Sequence, residues 1–182
     1  MKKIAIILAD GVEETEFIAV GDVLRRLGME VTVAGLHRLE VKGAHDFGLK
    51  ADRLLAECSP AGFDAVFLPG GMGGALAMYN SVAVVEFVRE MERSGKIVSA
   101  ICAAPSVLAQ YGLLAGRRAT CYPGFENRCT GAHMVDADVV TDGPITTGRA
   151  LGAAMAFALE LVRLLTDEQT AARTAEEIVW RT

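Results

Sequence analysis

Four short, largely apolar runs, at residues 3–9, 30–36, 64–68 and 96–101, alternate along this chain with segments of helical character. A strand with one face in water alternates apolar and polar residues, whereas one without a polar face is covered on both sides. Parallel neighbours are joined only through a crossover, usually a helix. Buried strands separated by helices therefore specify an α/β fold, a three-layer sandwich with a mostly parallel sheet and helices on both faces.

Helices are expected over 14–27, with Gly28 just past the end, over 82–93, from Pro105 onward, over 150–165 and over 168–179. Residues 37–50 read as a loop with a short antiparallel hairpin, and 118–121 as a brief strand. Asp142-Gly143-Pro144 marks a turn between strands at 139–141 and 145–147. Residues 1–182 show no repeat, linker or low-complexity stretch, and a chain of this length buries a core as one domain.

Composition removes several function classes. A formal charge of −5 and the lack of a Lys/Arg-rich run argue against nucleic acid, whose phosphates are met by cationic side chains. The apolar start, residues 4–9, is too short for a signal peptide and is followed at once by acidic residues, so it reads as a first strand. Glu160 and Arg163 interrupt the stretch 150–165, which is shorter than the ~18 residues of a membrane span and reads as a core helix. Cys58, Cys102, Cys121 and Cys129 form no CxxC pair, so disulfides are not expected and a reducing, cytoplasmic setting is. His37, His45 and His133 are scattered, and no metal site is expected.

In an open parallel sheet, ligands bind beyond the carboxyl ends of the strands, where the strand order reverses. Three segments fall there: Asp10–Glu16, Gly70–Gly74 and the seam around Cys102. The first contains no glycine fingerprint or Walker lysine, and its carboxylates would repel a pyrophosphate, which excludes nucleotide binding. Cys102-Ala103-Ala104 is a tight strand-to-helix turn, the geometry that exposes a nucleophile, and the helix N-terminus beyond it favours a thiolate. A buried apolar cysteine fits the same residues. Glu16 reads either as a solvent-facing helix-dipole residue or as a carboxyl turned toward Cys102, where burial would keep it protonated and able to move a proton. Gly70 and Gly71 fit a plain turn, or backbone N–H groups aimed at an oxyanion.

The segments Asp10-Gly11-Val12-Glu13-Glu14-Thr15-Glu16, Leu68-Pro69-Gly70-Gly71, Ala100-Ile101-Cys102-Ala103-Ala104-Pro105, Ala119-Thr120-Cys121-Tyr122-Pro123-Gly124 and Thr147-Gly148-Arg149-Ala150 together resemble the ThiJ/PfpI superfamily. The branch they resemble is that of the Parkinson-associated deglycases and glyoxalases. The resemblance implies a flavodoxin-like sandwich of the class I glutamine amidotransferase type, a homodimer, and no cofactor. It implies Cys102 as nucleophile, Glu16 as its protonated partner, Gly70 and Gly71 as backbone donors, and Ala103, Tyr122 and Arg149 around the substrate. Ala103 stands where the proteolytic branch has a histidine, so proteolysis is not expected. Tyr122 stands where several members have a histidine, and tyrosine, with a pKa of about 10, is a poor base near neutral pH. Ala150-Leu151 replaces a Gly-Pro pair.

Two readings follow. In one, the chain is an enzyme acting on reactive dicarbonyls or glycated protein side chains, through a hemithioacetal on Cys102. In the other it is an oxidative-stress sensor or redox-regulated chaperone whose thiolate is oxidised without turnover.

Overall fold

The computed structural model describes residues 1–181. In chain order, β1 (Lys3–Leu8), α1 (Glu14–Arg26) and β2 (Glu30–Gly35) precede a small hairpin, β3 (Glu40–Lys42) and β4 (Gly48–Lys50), and the brief β5 (Arg53–Leu54). Next come β6 (Ala65–Leu68), α2 (Met72–Tyr79), α3 (Val82–Arg93), β7 (Ile97–Ile101) and α4 (Pro105–Gln110). The remainder holds β8 (Arg118–Ala119), β9 (His133–Met134), β10 (Val139–Asp142), β11 (Ile145–Gly148), α5 (Ala154–Leu165) and α6 (Glu168–Glu177).

The main sheet has seven strands in the order β10-β11-β7-β6-β1-β2-β5. β10 runs antiparallel to β11, and the other neighbours are parallel, as the apolar runs require. The antiparallel hairpin expected within 37–50 is β3–β4.

Successive side chains leave a strand on opposite faces, so β1 feeds two cores. Ile4, Ile6 and Leu8 pack with Phe17, Val20 and Leu24 of α1 and with Phe157 and Leu161 of α5. Ala5 and Ile7 join Val66, Leu68 and Val98 against Met78, Phe87, Val88 and Leu108 on the α2–α4 side. The spacing of Phe17, Val20 and Leu24 places them on one face of α1. Acidic Glu14 in its first turn and Arg25 and Arg26 in its last complement the helix dipole. Phe157 packs against Phe67 with ring centroids 5.4 Å apart and planes tilted by 44°, and burial of such a ring contributes about 2–3 kcal/mol.

Two expectations need correction, and one helix is not foreseen by the sequence reading: α2 begins at Met72, within the rim segment 70–74. α5 begins at Ala154, after a single 3-10 turn over Leu151–Ala153, rather than at 150. The strand expected over 118–121 is confined to Arg118–Ala119, which pairs with β9. Among the described residues no helix is long and apolar enough to cross a membrane.

The strand order turns back between β1 and β6. From β1 the chain steps to β2 on one side; it later enters β6 on the other side and moves on to β7. The loops leaving β1, β6 and β7 therefore meet above the sheet, at the place where such folds bind ligands.

Candidate active site

The loop after β1 is pinned on both sides. Gly11 N–H donates to the Lys42 carbonyl at 2.7 Å, and Asp10 Oδ1 accepts from Lys42 N–H at 2.9 Å. Glu14 accepts from the backbone N–H of His45 at 2.7 Å, and its other oxygen meets the imidazole at 3.0 Å. Burial works against the Glu14 charge, but these bonds outweigh it and lower the carboxyl's pKa. Asp10 and Glu14 thus fasten the β3–β4 hairpin to the rim.

Glu16 has a different surrounding. It lies in the first turn of α1, fully buried, and Oε2 accepts the Gly70 N–H at 2.8 Å. Oε1 is buried without a hydrogen-bond partner. Burial pushes this carboxyl up to about 7, against the opposing pull of the Gly70 N–H and of the Cys102 side chain. The solvent-facing alternative for Glu16 is thereby excluded.

The Gly70–Gly71 pair is required by space. A Cβ on Gly70 would lie 2.5 Å from both Cys102 Cβ and Glu16 Oε2. Gly71 has φ +86°, and a Cβ there would lie 2.3 Å from the Gly11 carbonyl oxygen. Gly70 N–H is already used on Glu16, which leaves the N–H groups of Gly71 and Ala103 as the donors that face the Cys102 sulfur.

Cys102 follows β7 directly and has φ +65°, a left-handed conformation that costs a side-chain-bearing residue of order 1–3 kcal/mol. The surroundings hold it there. Its N–H donates to the Gly148 carbonyl at 2.9 Å, and its own carbonyl accepts from Tyr122 N–H at 2.8 Å. The side chain is partly exposed, at the mouth of the three loops.

The sequence-based expectation of a thiol acidified by the helix N-terminus is not met. Burial and a charged Glu16 push the Cys102 thiol up to about 12, while the Gly71 and Ala103 N–H groups pull the other way. α4, the helix beyond Cys102, has only six residues. The charges of Glu16 and Cys102 oppose each other, so above about 7 the pair holds one proton and one negative charge between them. With its proton on the carboxyl, Glu16 is neutral and can donate a hydrogen bond to a Cys102 thiolate.

The remaining predicted residues stand nearby in different ways. Ala103 is buried, and its carbonyl accepts from Ser106 Oγ at 2.6 Å. Tyr122 contributes its backbone to Cys102, while its ring is 46% exposed and meets Phe125 edge-on. Arg149 pairs with Asp136 and lines a cavity of about 340 Å³ with Thr120, Cys121 and Glu126. Sequence reasoning missed Gly148 as the anchor of Cys102. A Cβ there would lie 2.7 Å from Ile101 Cγ1 and Phe157 Cδ2, a crowding that only the strand pairing reveals.

Comparison with known proteins agrees with this geometry. Protein dj-1beta of Drosophila melanogaster is 40% identical over 181 residues, covering 98% of this chain and 97% of that protein. Its crystal structure matches with a TM-score of 0.95 over 100% of this chain and 99% of the other. A protein named deglycase from Pyrococcus abyssi is 37% identical over 165 residues, covering 90% of this chain and 99% of its own length. The oxidised DJ-1 of Toxoplasma gondii has a TM-score of 0.95 at 30% identity, with both chains covered in full (100% each). The DJ-1/PfpI family model spans residues 2–164, from the first strand through the last core helix. By sequence, by strand order and by the loops gathered around Cys102, the chain belongs to the DJ-1/PfpI family.

Proposed function

We propose that this chain is a cofactor-independent cysteine enzyme acting on reactive dicarbonyls such as methylglyoxal, and on their adducts with protein side chains. The observation that carries this reading is the wedge at Gly70, where a buried carboxyl and a strained thiol approach the same backbone atom. Relatives named deglycase in Pyrococcus abyssi, Pyrococcus horikoshii and Thermococcus kodakarensis, at 37%, 34% and 34% identity, support it.

The steps start when the one proton of the pair passes from the Cys102 sulfur to the Glu16 carboxylate, leaving the charge on sulfur. The sulfur adds to the aldehyde carbon, the carbonyl electron pair moves to oxygen, and that oxygen takes the Glu16 proton to give a hemithioacetal. The Glu16 carboxylate then removes the hydrogen of that carbon, and the neighbouring ketone oxygen is protonated, giving an enediol. Proton return to the second carbon leaves a lactate thioester, which water cleaves to lactate and free thiol. One carbon is oxidised and its neighbour reduced, so no external oxidant or reductant enters. The Gly71 and Ala103 N–H groups stabilise the negative oxygen; a single such donor contributes roughly 10²–10³ in rate. Transfer of the dicarbonyl fragment from a protein adduct to Cys102 feeds the same steps.

Proton NMR of methylglyoxal with the purified protein tests this. Lactate forming with the native chain, and not with Cys102→Ser or Glu16→Gln, is the expected result. Equal lactate from Glu16→Gln would remove the carboxyl from the mechanism.

A second reading has its own support in the oxidised DJ-1 of Toxoplasma gondii. Here Cys102 is a sensor thiol, and a protonated Glu16 donates a hydrogen bond to its sulfinate. Oxidation of Cys102 by peroxide without any lactate formation would favour this reading.

A further inference from the structure

Glu13, Glu14 and His45 take no part in the chemistry assigned to Cys102, yet each turns one ligand atom toward the other two, all within 4.8 Å of one another. His45 Nδ1 stands 3.0 Å from Glu14 Oε2 and 3.7 Å from Glu13 Oε2. The scatter of the histidines along the sequence hides this cluster. The β3–β4 hairpin carries His45 back onto the start of α1.

The two carboxylates are not loose surface charges. The Glu13 and Glu14 side chains are 15% and 11% exposed, against 66% for the imidazole. Glu14 is firmly seated: Oε1 accepts the His45 backbone N–H at 2.7 Å, and a Cβ on Gly43 would collide with the same carboxylate. Glu13 is fixed through its own N–H, which donates to the Gly70 carbonyl at 3.0 Å. Its carboxylate has His45 as its one charged partner among the described residues, at a distance beyond hydrogen-bond reach. A mostly buried charge is thus left without a donor, beside an imidazole open to solvent.

We infer that Glu13 Oε2, Glu14 Oε2 and His45 Nδ1 form a binding site for a divalent cation of the zinc type, held by three protein donors with its remaining position open to water. Zinc takes nitrogen and oxygen donors at about 2.0–2.2 Å in a tetrahedral array, which sets such donors about 3.3–3.4 Å apart. The two separations from His45 Nδ1 fall on either side of that spacing, so side-chain rotations complete the coordination.

The donor set decides the class of ion. An imidazole nitrogen suits zinc and its first-row neighbours, whereas calcium and magnesium take oxygen donors. The His45 backbone N–H orients the Glu14 carboxylate through Oε1 and leaves Oε2 for the ion. The hydrogen bond between His45 Nδ1 and Glu14 Oε2 uses the same two atoms, so the cation displaces its proton, which moves to Nε2 or to solvent. The ion clamps the β3–β4 hairpin to the first turn of α1, the helix that also carries Glu16. The inference does not rest on the dicarbonyl activity, and its test uses no turnover.

Zinc chloride is titrated calorimetrically into the native chain and into Cys102→Ser, where the reactive thiol contributes nothing. His45→Ala and Glu13→Gln are each made in the Cys102→Ser background. The expected result is one zinc ion per chain in Cys102→Ser, bound at least about tenfold more weakly in each double variant. Zinc should raise the Tm of the Cys102→Ser chain and leave that of the double variants unmoved. Cobalt(II) in place of zinc should show d–d absorption without the thiolate-to-cobalt charge-transfer band of a cysteine site, and excess calcium should leave zinc binding unchanged. No zinc binding by Cys102→Ser, equal affinity in either double variant, a thiolate charge-transfer band, or displacement by calcium would each overturn the inference. Far-ultraviolet circular dichroism of the variants confirms that they are folded when compared.

Discussion

The Gly70 N–H donates to Glu16 Oε2 at 2.8 Å, in the one place where the chain has no Cβ to keep the carboxyl and Cys102 apart. A single backbone group thus orients the buried acid and, through its missing side chain, admits the thiol. The donor favours the charged carboxylate, yet burial prevails and the carboxyl stays up at about 7.

That displacement makes stability depend on pH. Below the ordinary value of 4.5 both folded and unfolded chains hold the Glu16 proton, and nothing is lost. As pH rises through about 7 the folded chain must bury a charge that the unfolded chain keeps in water, a cost on the order of 3 kcal/mol. Glu16→Gln removes the cost, so its stability relative to the native chain should rise between these two pH values and then level off. Urea denaturation across that range measures it; parallel curves would contradict the burial argument.

Turnover should respond to the same proton. The productive form holds one proton between Glu16 and Cys102, and it appears as pH rises through about 7. kcat/KM for methylglyoxal should climb through that pH in the native chain. Glu16→Gln should lose roughly 10²–10⁴-fold in rate and show no step there.

Gly70→Ala places a methyl group 2.5 Å from both Cys102 Cβ and Glu16 Oε2. Overpacking of this kind costs about 1–3 kcal/mol, and here it also drives the two reacting groups apart. Calorimetry should show a lowered Tm, and lactate formation should fall to background. An alanine variant with normal turnover would mean that the wedge is not needed.

Cys102 holds a conformation that glycine adopts freely and alanine does not. Among inactive variants, Cys102→Gly should therefore be more stable than Cys102→Ala by about 1 kcal/mol. Equal midpoints in denaturant would show that the turn relaxes when sulfur is removed.

Much of the site could be read from the chain because its parts follow strands whose burial is visible in their composition. Glu16, Gly70 and Cys102 each stand just beyond an apolar run, and the order of runs and helices brings those ends together. What escaped were effects between distant segments. Gly73 and Gly74 argue against a helix by propensity, yet α2 includes them, and the loop after β1 packs so close that a Cβ on Gly73 would lie 3.1 Å from Gly11 Cα and one on Gly74 3.1 Å from Val12 Cα. The thiol's pKa was misjudged because the nearby helix is visible in sequence, while the burial and the Glu16 charge are not.

The distance along the chain between Glu16, Gly70 and Cys102 has one more consequence. No partial chain contains the site: while synthesis is under way, or after unfolding, Cys102 is a cysteine like any other, without carboxyl, amide donors or forced backbone. Its chemistry switches on when β1, β6 and β7 come into register. The thiol therefore reports completed folding, and a nascent chain carries no special nucleophile with which to attack its neighbours.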